Sequence, residues 1–346
     1  MSPKFNGGSD DWLDDEDSSG SGAPVARVKK KKTAANKATQ LPAEEANAVV
    51  VEVFPNQCAV RLDGAPAEKN VDVLCSYRRS QLMDKESEIR DRSPVAVGDR
   101  VKVELTGSST GVVEALCIRK NQLVRPAPAR ATRHVLVSNI DQLVIVTATQ
   151  NPEFSPGLVD RFLIAASVQG IPAVICINKI DLHASVAGVL PPWKTYEDLG
   201  YPVIEVSAKR DLGVAQLQEI TSGKLTVFCG HSGVGKTSLL SVLLQREAGR
   251  VGEVSDFTGK GRHTTTGAIL LRDSHFIDTP GVRAFGLIDV SPEKLHTYFP
   301  EFSSPAQLGC AQKDCLHMDE ADCKATSLAR YSSYRRIFES IRSGEN

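Results

Sequence analysis

The feature that most constrains this chain is a glycine-rich loop between an apolar strand and an apolar helix. Residues 230–237 read GHSGVGKT, after the run KLTVFC and before the run SLLSVLL. Glycines at this spacing let successive backbone N–H groups turn toward phosphate groups at a helix N-terminus, where anions are favoured. The pattern predicts a phosphate-binding loop in an α/β domain. The predicted contacts are Gly230, His231, Ser232, Gly233, Val234, Gly235, Lys236, Thr237 and Ser238.

Four of the predicted residues have distinct roles at the phosphates. Lys236 is expected to bridge the terminal phosphates, and the hydroxyl of Thr237 is expected to bind Mg²⁺. Asp278 opens the run DTPG after the strand SHFI, and it fits the carboxylate that holds Mg²⁺ through water. The N–H of Gly281, in the same run, fits a contact with the γ-phosphate.

Two further loops predict which base is bound. The sequence NKID over 178–181 ends the strand AVICI, and SAK over 207–209 ends the strand PVIEV. The carboxylate of Asp181 can accept two hydrogen bonds from guanine. Adenine would leave that carboxylate unpaired, a difference on the order of 10⁴ in such sites. The sequence therefore favours GTP. The predicted base contacts are Asn178, Lys179, Asp181, Ser207, Ala208 and Lys209.

A segment with three threonines lies between the phosphate loop and DTPG. It reads GRHTTTG over 261–267, which has the length of a switch loop whose hydroxyl completes the Mg²⁺ shell. Thr264, Thr265 and Thr266 are all candidates for that ligand. Val282 stands where many GTPases have a water-orienting glutamine, and valine cannot do this. His263 is the nearest polar candidate for a catalytic role, with a contact to a partner or to RNA as the alternative.

The order of these motifs is permuted relative to an ordinary GTPase. The base loops at 178 and 207 precede the phosphate motifs at 230, 264 and 278. The spatial order of strands is preserved if the old termini are joined and new ones are opened in a surface connection. Continuous apolar strands that alternate with helices predict a parallel sheet covered on both faces. We therefore predict a circularly permuted P-loop GTPase domain.

Other segments flank this domain. Five short alternating runs between 47 and 119 predict a small closed antiparallel barrel of the oligonucleotide-binding (OB) type. Four arginines of this segment suit a face that contacts a nucleic-acid backbone, and they are Arg61, Arg78, Arg79 and Arg100. Residues 1–46 carry an acidic block and then the basic run 29–32, a composition typical of disorder. This tail is either a solubilising segment or a basic arm for nucleic acid.

A cysteine and histidine cluster stands near the C-terminus. Cys310, Cys315, His317 and Cys323 have the spacing C-x4-C-x-H-x5-C, which predicts a closed, structural zinc site. The run SLARYSSYRRIFESIR follows it. Its basic and aromatic residues fit RNA binding, with a solvated helix face as the alternative. The residues concerned are Arg330, Tyr331, Tyr334, Arg335 and Arg336.

Composition adds limits on location and redox state. The chain has 346 residues and a formal net charge of −1, and no apolar run approaches a membrane span. The N-terminus lacks the layout of an export signal, so we expect a cytoplasmic protein with no membrane contact. Five cysteines stand singly in apolar runs and are expected to be buried small hydrophobes. They are Cys58, Cys75, Cys117, Cys176 and Cys229.

Taken together, these motifs resemble the RsgA/YjeQ family of GTPases that depend on the small ribosomal subunit. The resemblance is carried by the permuted order, RHTTT, DTPG before RAFGL, the four-ligand spacing and RYSSYRR, and it covers roughly residues 47–340. It implies an OB-like barrel, a permuted GTPase domain and a zinc domain. It also implies a late assembly or quality-control role on the small subunit and its rRNA, and a water-orienting role for His263.

The expected organisation is a tail over 1–46, the barrel over 47–120, the GTPase domain over 121–288 and a zinc-binding helical domain over 289–346. We expect a monomer that binds the subunit with GTP and leaves after hydrolysis to GDP. The alternatives are a GTP-regulated RNA-binding protein outside the ribosome and a signalling GTPase without RNA. The barrel, zinc cluster and basic helix disfavour the signalling alternative, and the complete set of Mg²⁺ and phosphate motifs disfavours a purely structural GTP site.

Overall fold

The computed structural model describes residues 40–344 apart from 65–71, 78–81, 83–89, 92, 126–131, 185–186, 246–266, 280–284, 288–289 and 319. The chain divides into two units, Met1–Ala35 and Asn36–Asn346, and every described residue belongs to the second. Among the described residues, no helix combines the length and the apolar composition needed to cross a bilayer.

The first part of the fold is a closed five-stranded barrel in the order β1-β2-β3-β6-β5. Its strands alternate inward apolar and outward residues, so Val50, Cys58, Val60 and Val101 fill the interior. The strands are β1 Ala48–Phe54, β2 Gln57–Leu62, β3 Val73–Ser76, β5 Arg100–Leu105 and β6 Thr110–Leu116. The closed barrel confirms the sequence prediction.

The barrel is not fully antiparallel, which corrects one expectation. Strands β3 and β6 are parallel and pair from Leu74 with Thr110 to Ser76 with Val112. A parallel pair needs a long crossover connection, and here the chain passes through β5 before it returns as β6. Outward-facing Val51 and Ala59 belong to the same apolar core as the α/β domain that carries the nucleotide motifs, so the barrel packs directly on that domain.

The structure also contains a small three-stranded sheet that was not predicted from the sequence. It has the order β4-β8-β7, with β4 Arg90–Asp91, β7 Gln122–Arg125 and β8 Thr132–Ser138. The prolines and small residues of 124–133 predict a linker. Val124 and Arg125 instead pair with Val135 and His134 in the antiparallel ladder of β7 with β8, which has a bulge between Leu123 and Val124.

The second part is a six-stranded sheet in the order β11-β10-β9-β12-β14-β13. All pairs are parallel except β13 with β14. Strand β9 is buried along its whole length, as expected for a strand covered on both faces. The strands are β9 Gln142–Ala148, β10 Ala173–Asn178, β11 Val203–Glu205, β12 Thr226–Cys229, β13 Ile269–Leu270 and β14 Phe276–Asp278.

Helices follow the parallel strands and cover the sheet. The α-helices of this part are α1 Pro156–Val168, α2 Lys194–Asp198, α3 Val214–Thr221 and α4 Lys236–Leu243. A 3-10 helix, Ile180–Leu182, follows β10, and another, Ala43–Glu45, precedes the barrel. Strands β9 to β11 come first in the chain and lie together on one side of the sheet, whereas β12 to β14 lie on the other. This is the spatial order expected of a permuted domain.

An amphipathic helix and a 3-10 helix of the C-terminal part both pack on α1. Its elements are the 3-10 helices Pro292–Tyr298 and Ala325–Ser327 and the helices α5 Pro305–Leu308 and α6 Tyr331–Ser343. Helix α6 buries Tyr334, Ile337, Phe338 and Ile341, which share one helical face. Arg330 and Tyr334 are 3% and 0% exposed, so the expectation that these two residues face RNA is wrong.

Candidate nucleotide site and metal centre

The phosphate loop has a backbone that only glycine can supply at two positions. Gly230 has φ of 152° and Gly235 has φ of 87°, both in the region that L side chains avoid. A Cβ at Gly230 would overlap the carbonyl oxygen of Val146, and one at Gly235 would overlap the side-chain amide of Asn178. The strand and the next loop thus approach the glycine loop so closely that no side chain fits.

Asn178 joins the phosphate loop to both base loops. Its buried side-chain Nδ2 donates to the carbonyl oxygen of Val234 at 2.8 Å, and its Oδ1 accepts from the backbone N–H of Ala208 at 3.2 Å. One amide therefore links the predicted guanine contacts of both loops to the predicted phosphate contacts. Such a buried amide is costly to remove, because its partners would then lack hydrogen bonds.

The other base residues are fixed by the same set of loops. Lys179 Nζ donates to the carbonyl oxygen of Gly233 at 2.7 Å and also to that of Asn151. Ser207 Oγ donates to Asp181 Oδ1 at 2.6 Å, which fixes the orientation of the carboxylate. All of these groups lie at the carboxyl ends of parallel strands, where α/β sheets bind ligands.

Lys236, the first residue of α4, and Asp278, the last residue of β14, face each other. Lys236 Nζ lies 2.9 Å from Asp278 Oδ1 and donates to the carbonyl oxygen of Thr279 at 2.8 Å. Thr279 Oγ1 in turn donates to the carbonyl oxygen of Phe228 on β12 at 2.8 Å. A nearly buried ammonium and carboxylate therefore meet beside the glycine loop. These are the two groups that a triphosphate and its cation need.

The four predicted metal ligands come together near the C-terminus. The sulfur atoms of Cys310, Cys315 and Cys323 lie 3.7, 3.4 and 3.4 Å from His317 Nδ1, and the four ligand atoms all lie within 4.8 Å of one another. His317 Nε2 lies 3.0 Å from the carbonyl oxygen of Phe302, so Nδ1 is the nitrogen that faces the sulfur atoms. This group of residues can bind a metal ion.

Burial shapes the chemistry of this cluster. Burial raises the pKa of the Cys315 thiol to about 12. A thiolate at this position therefore needs a cation, and a metal ion supplies one. His317 has φ of 61°, an uncommon backbone conformation for histidine, and the surrounding loop maintains it.

Hydrogen bonds from two directions hold the ligand loop. The carboxylate of Glu320 accepts from the N–H of Leu316 at 2.8 Å and from that of Met318 at 2.7 Å. The hydroxyls of Tyr334 and Tyr331 donate to the carbonyl oxygens of Leu316 and Met318. Burial favours a raised pKa for Glu320, but hydrogen bonds from backbone N–H groups hold that pKa below its usual value. Both neighbours of His317 are thereby fixed.

Comparison with known proteins decides the family. The sequence matches the RsgA GTPase family over residues 116–288. It is 34% identical over 271 residues to the small ribosomal subunit biogenesis GTPase RsgA 2 of Bacteroides thetaiotaomicron, covering 74% of this chain and 87% of that protein. The chain belongs to the RsgA GTPase family. A member from Thermotoga petrophila is 35% identical over 257 residues, covering 70% of this chain and 83% of that protein.

Solved structures agree with the RsgA fold. YjeQ from Thermotoga maritima matches with a TM-score of 0.60 and 28% identity, covering 86% of this chain and 98% of that chain. YloQ, described as a circularly permuted GTPase, matches with a TM-score of 0.60 over 86% of this chain and 96% of that chain. At 24% identity, the YloQ match supports the fold alone. The permuted GTPase domain predicted from the motif order is confirmed.

The structure places most of the predicted nucleotide residues on one edge of the RsgA sheet. Thr237 and Ser238 lie exposed on the first turn of α4, and His231, Ser232 and Lys209 are also exposed. The remaining predicted residues of this site lie outside the described residues. They are His263, Thr264, Thr265 and Gly281, together with Thr266.

Several residues that shape these sites were not identified from the sequence. The backbone of Asn151 receives Lys179, and the loop that contains it follows β9 in the same way that NKID follows β10. Its position after an apolar strand was the available signal. Glu320 and Phe302 support the metal ligands, but an acidic residue near a cysteine and a backbone carbonyl carry no pattern that the sequence reveals.

Proposed function

We propose that this RsgA GTPase is a late assembly factor of the small ribosomal subunit that binds the subunit and its rRNA with GTP and leaves after hydrolysis. The observation that carries the proposal is its 34% identity to a protein named small ribosomal subunit biogenesis GTPase, most of whose length it covers. The barrel and the basic residues exposed on α6, among them Arg336, are the surfaces we assign to RNA.

The nucleotide roles follow from the positions of the side chains. Asp181 and the loop 207–209 would recognise guanine, and residues 230–238 would surround the phosphates. Lys236, whose ammonium lies 2.9 Å from Asp278 Oδ1 and is nearly buried, would exchange this ion pair for the transferring phosphate when nucleotide binds. Mg²⁺ bound with GTP would supply positive charge at the phosphates, with Thr237 and Asp278 as the residues that fit its coordination. Gly281 would contact the γ-phosphate.

His263 is the residue that we assign to orienting the attacking water. The assignment rests on the sequence, since valine occupies position 282, and on the role that the RHTTT motif implies. One hydroxyl among Thr264, Thr265 and Thr266 would complete the Mg²⁺ shell. These assignments predict that nucleotide binding and turnover can be separated by mutation.

We further propose that the metal ion is zinc and that its role is structural. In a tetrahedron with Zn–S of about 2.3 Å and Zn–N of about 2.0 Å, sulfur and nitrogen lie roughly 3.5 Å apart. The sulfur atoms lie 3.4–3.7 Å from His317 Nδ1, which fits this geometry. Four protein ligands leave no open position for a reaction. The cytoplasm, as a reducing setting, suits both the thiolates and the partner.

The domain limits and the oligomeric state are part of this proposal. We assign the tail to 1–46, the barrel to 47–120, the permuted GTPase domain to 121–288 and the zinc-binding domain to 289–346. A monomer is proposed because one chain contains the whole nucleotide site. The tail is assigned no role.

GTP turnover with and without small ribosomal subunits tests the function. We expect slow hydrolysis alone, and at least tenfold faster hydrolysis with small subunits but not with large ones. Co-sedimentation should show tighter subunit binding with an uncleavable GTP analogue than with GDP. Equal turnover with both subunits, together with subunit binding that is the same in the GTP and GDP states, would favour a GTP-regulated protein that acts outside the ribosome.

A further inference from the structure

A buried arginine joins the C-terminal part of the chain to the GTPase domain. Arg330 immediately precedes α6 and is 3% exposed. Its Nη1 lies 3.5 Å from Asp160 Oδ1 on α1, and its Nε lies 2.8 Å from Glu301 Oε1. The hydroxyl of Tyr196 also donates to Asp160, and the guanidinium stacks over the rings of Phe299 and Tyr196.

Because Arg330 is buried, its charge is stable only beside its carboxylate partners. Charged groups removed from water are stable only while they stay paired, and breaking such a pair leaves an uncompensated buried charge. Burial raises the pKa of the Asp160 carboxyl, and the positive charge of Arg330 opposes that rise. The guanidinium can therefore occupy one place, between the carboxylates of α1 and of the C-terminal part.

The same stretch of chain holds the metal-ligand loop. Tyr331 follows Arg330 directly, and Tyr334 lies one turn further along α6. Their hydroxyls donate to the carbonyl oxygens of Met318 and Leu316, on either side of His317, at 3.1 and 2.6 Å. Arg330 and the first turn of α6 thus contact helix α1 on one side and the residues that flank His317 on the other.

We propose that the metal centre acts as a clamp that docks the C-terminal part on the GTPase domain, with Arg330 as the positioning residue. Metal binding orders the loop around His317, the loop holds the two tyrosine hydroxyls, and the first turn of α6 then presents Arg330 to Asp160. By linkage, an ion that binds only the docked arrangement stabilises α1 as well as its own ligands. This inference rests on metal binding at the cluster, which is itself proposed.

Hydrogen exchange of the full-length protein tests the clamp. Zinc-loaded protein is compared with protein stripped by a chelator, with metal content measured by mass spectrometry. We expect metal removal to accelerate exchange in the ligand loop and also in the amides of α1, by on the order of tenfold. Returning zinc should restore both. Unchanged exchange in α1, while the ligand loop responds, would overturn the clamp but leave the metal site intact.

Two variants show whether Arg330 carries the effect. The combined change Arg330→Met, Asp160→Asn and Glu301→Gln removes all three charges together, so no charge is left buried without a partner. We expect this variant to bind zinc but to lose the dependence of α1 exchange on metal. Arg336→Met, an exposed change on the same helix, should keep that dependence. A neutral variant that responds like the wild type would refute the role of Arg330, and a wild type without bound metal would refute the metal assignment itself.

Discussion

The side-chain amide of Asn178 donates to the backbone carbonyl of Val234 at 2.8 Å. The first residue of the predicted guanine loop is thus hydrogen-bonded to the middle of the predicted phosphate loop, although the two loops lie far apart in the sequence. A nucleotide that bridges base and phosphate contacts needs these loops at a fixed separation. This buried bond helps to set that separation, together with the bond from Lys179 Nζ to the carbonyl oxygen of Gly233.

Asn178→Ala is therefore expected to weaken GTP binding without unfolding the sheet. The change leaves the Val234 carbonyl and the Ala208 N–H without their partner, at a cost of about 1–3 kcal/mol, or roughly five- to 150-fold in affinity. Fluorescent GTP titration measures this. Gln150→Ala, which removes an exposed amide bound to Leu182, is the control and should bind normally. Equal affinity in the two variants would contradict the bridging role.

Gly235→Ala should abolish nucleotide binding because the new Cβ meets Asn178 in a backbone conformation that alanine avoids. A strained positive φ costs about 1–3 kcal/mol, and the overlap adds to it. Gly157→Ala, in the first turn of α1, has an ordinary neighbour at 3.6 Å and no positive φ, so it should bind GTP normally. Retained binding by Gly235→Ala would show that the loop can rearrange.

Asp181→Asn should change the base preference from guanine to xanthine. The amide can no longer accept both guanine hydrogen bonds, so we expect GTP affinity to fall by on the order of 10²-fold or more. Xanthosine triphosphate, whose 2-oxo group accepts from the amide, should bind instead. Competition titration with GTP, ATP and xanthosine triphosphate measures this, with the exposed surface change Asp198→Asn as control. GTP affinity that stays at the wild-type level would refute the assignment.

His263→Ala should keep GTP affinity but slow subunit-stimulated hydrolysis by about 100-fold, the low end for a lost acid–base group. The separation arises because a water-orienting group acts on the reaction and not on the bound nucleotide. His275→Ala, an exposed histidine of the same domain, is the control and should turn over normally. If His263→Ala keeps full subunit-stimulated turnover, another group orients the attacking water, such as one supplied by the partner.

Five cysteines should resist alkylation in the native protein. All five are buried, and burial raises the pKa of Cys75 to about 11. The native thiol therefore stays protonated at pH 8. Because its folded pKa lies above the unfolded one, its stabilising effect is complete below about pH 9 and is lost as the pH rises toward 11. Mass spectrometry after iodoacetamide treatment checks the set Cys58, Cys75, Cys117, Cys176 and Cys229.

The metal-ligand cysteines should behave differently in the same experiment. Cys310 and Cys323 are partly exposed, so chelation should expose them to iodoacetamide at pH 8, while bound zinc should protect them. Modification that is equally fast with and without chelator would argue against a metal at these thiols.

The grouping of the candidate nucleotide loops at one edge of the sheet could be predicted from the sequence because its information is local. Each loop follows a continuous apolar strand, and parallel strands bring their carboxyl ends to one edge. Packing between distant segments could not be predicted in this way. Arg330 is a basic residue beside aromatic ones, a pattern that suits RNA. In the structure, however, it is buried and forms an ion pair with Asp160 on α1, which the sequence does not reveal. Residues around β7 and β8 read as a linker, since their pairing depends on a register that propensity does not encode.

The position of β9 between β10 and β12 also has a consequence for how the protein is made. A ribosome releases β9, β10 and β11 before β12 has been translated, so a growing chain carries the predicted guanine loops while one edge of β9, a fully buried strand, is still unpaired. During that interval Asn178 has no Val234 to bind. Completion of β12 and the loop after it covers the open edge and completes the pocket in one event. In the permuted order, a truncated nascent chain therefore exposes a strand edge and holds no nucleotide.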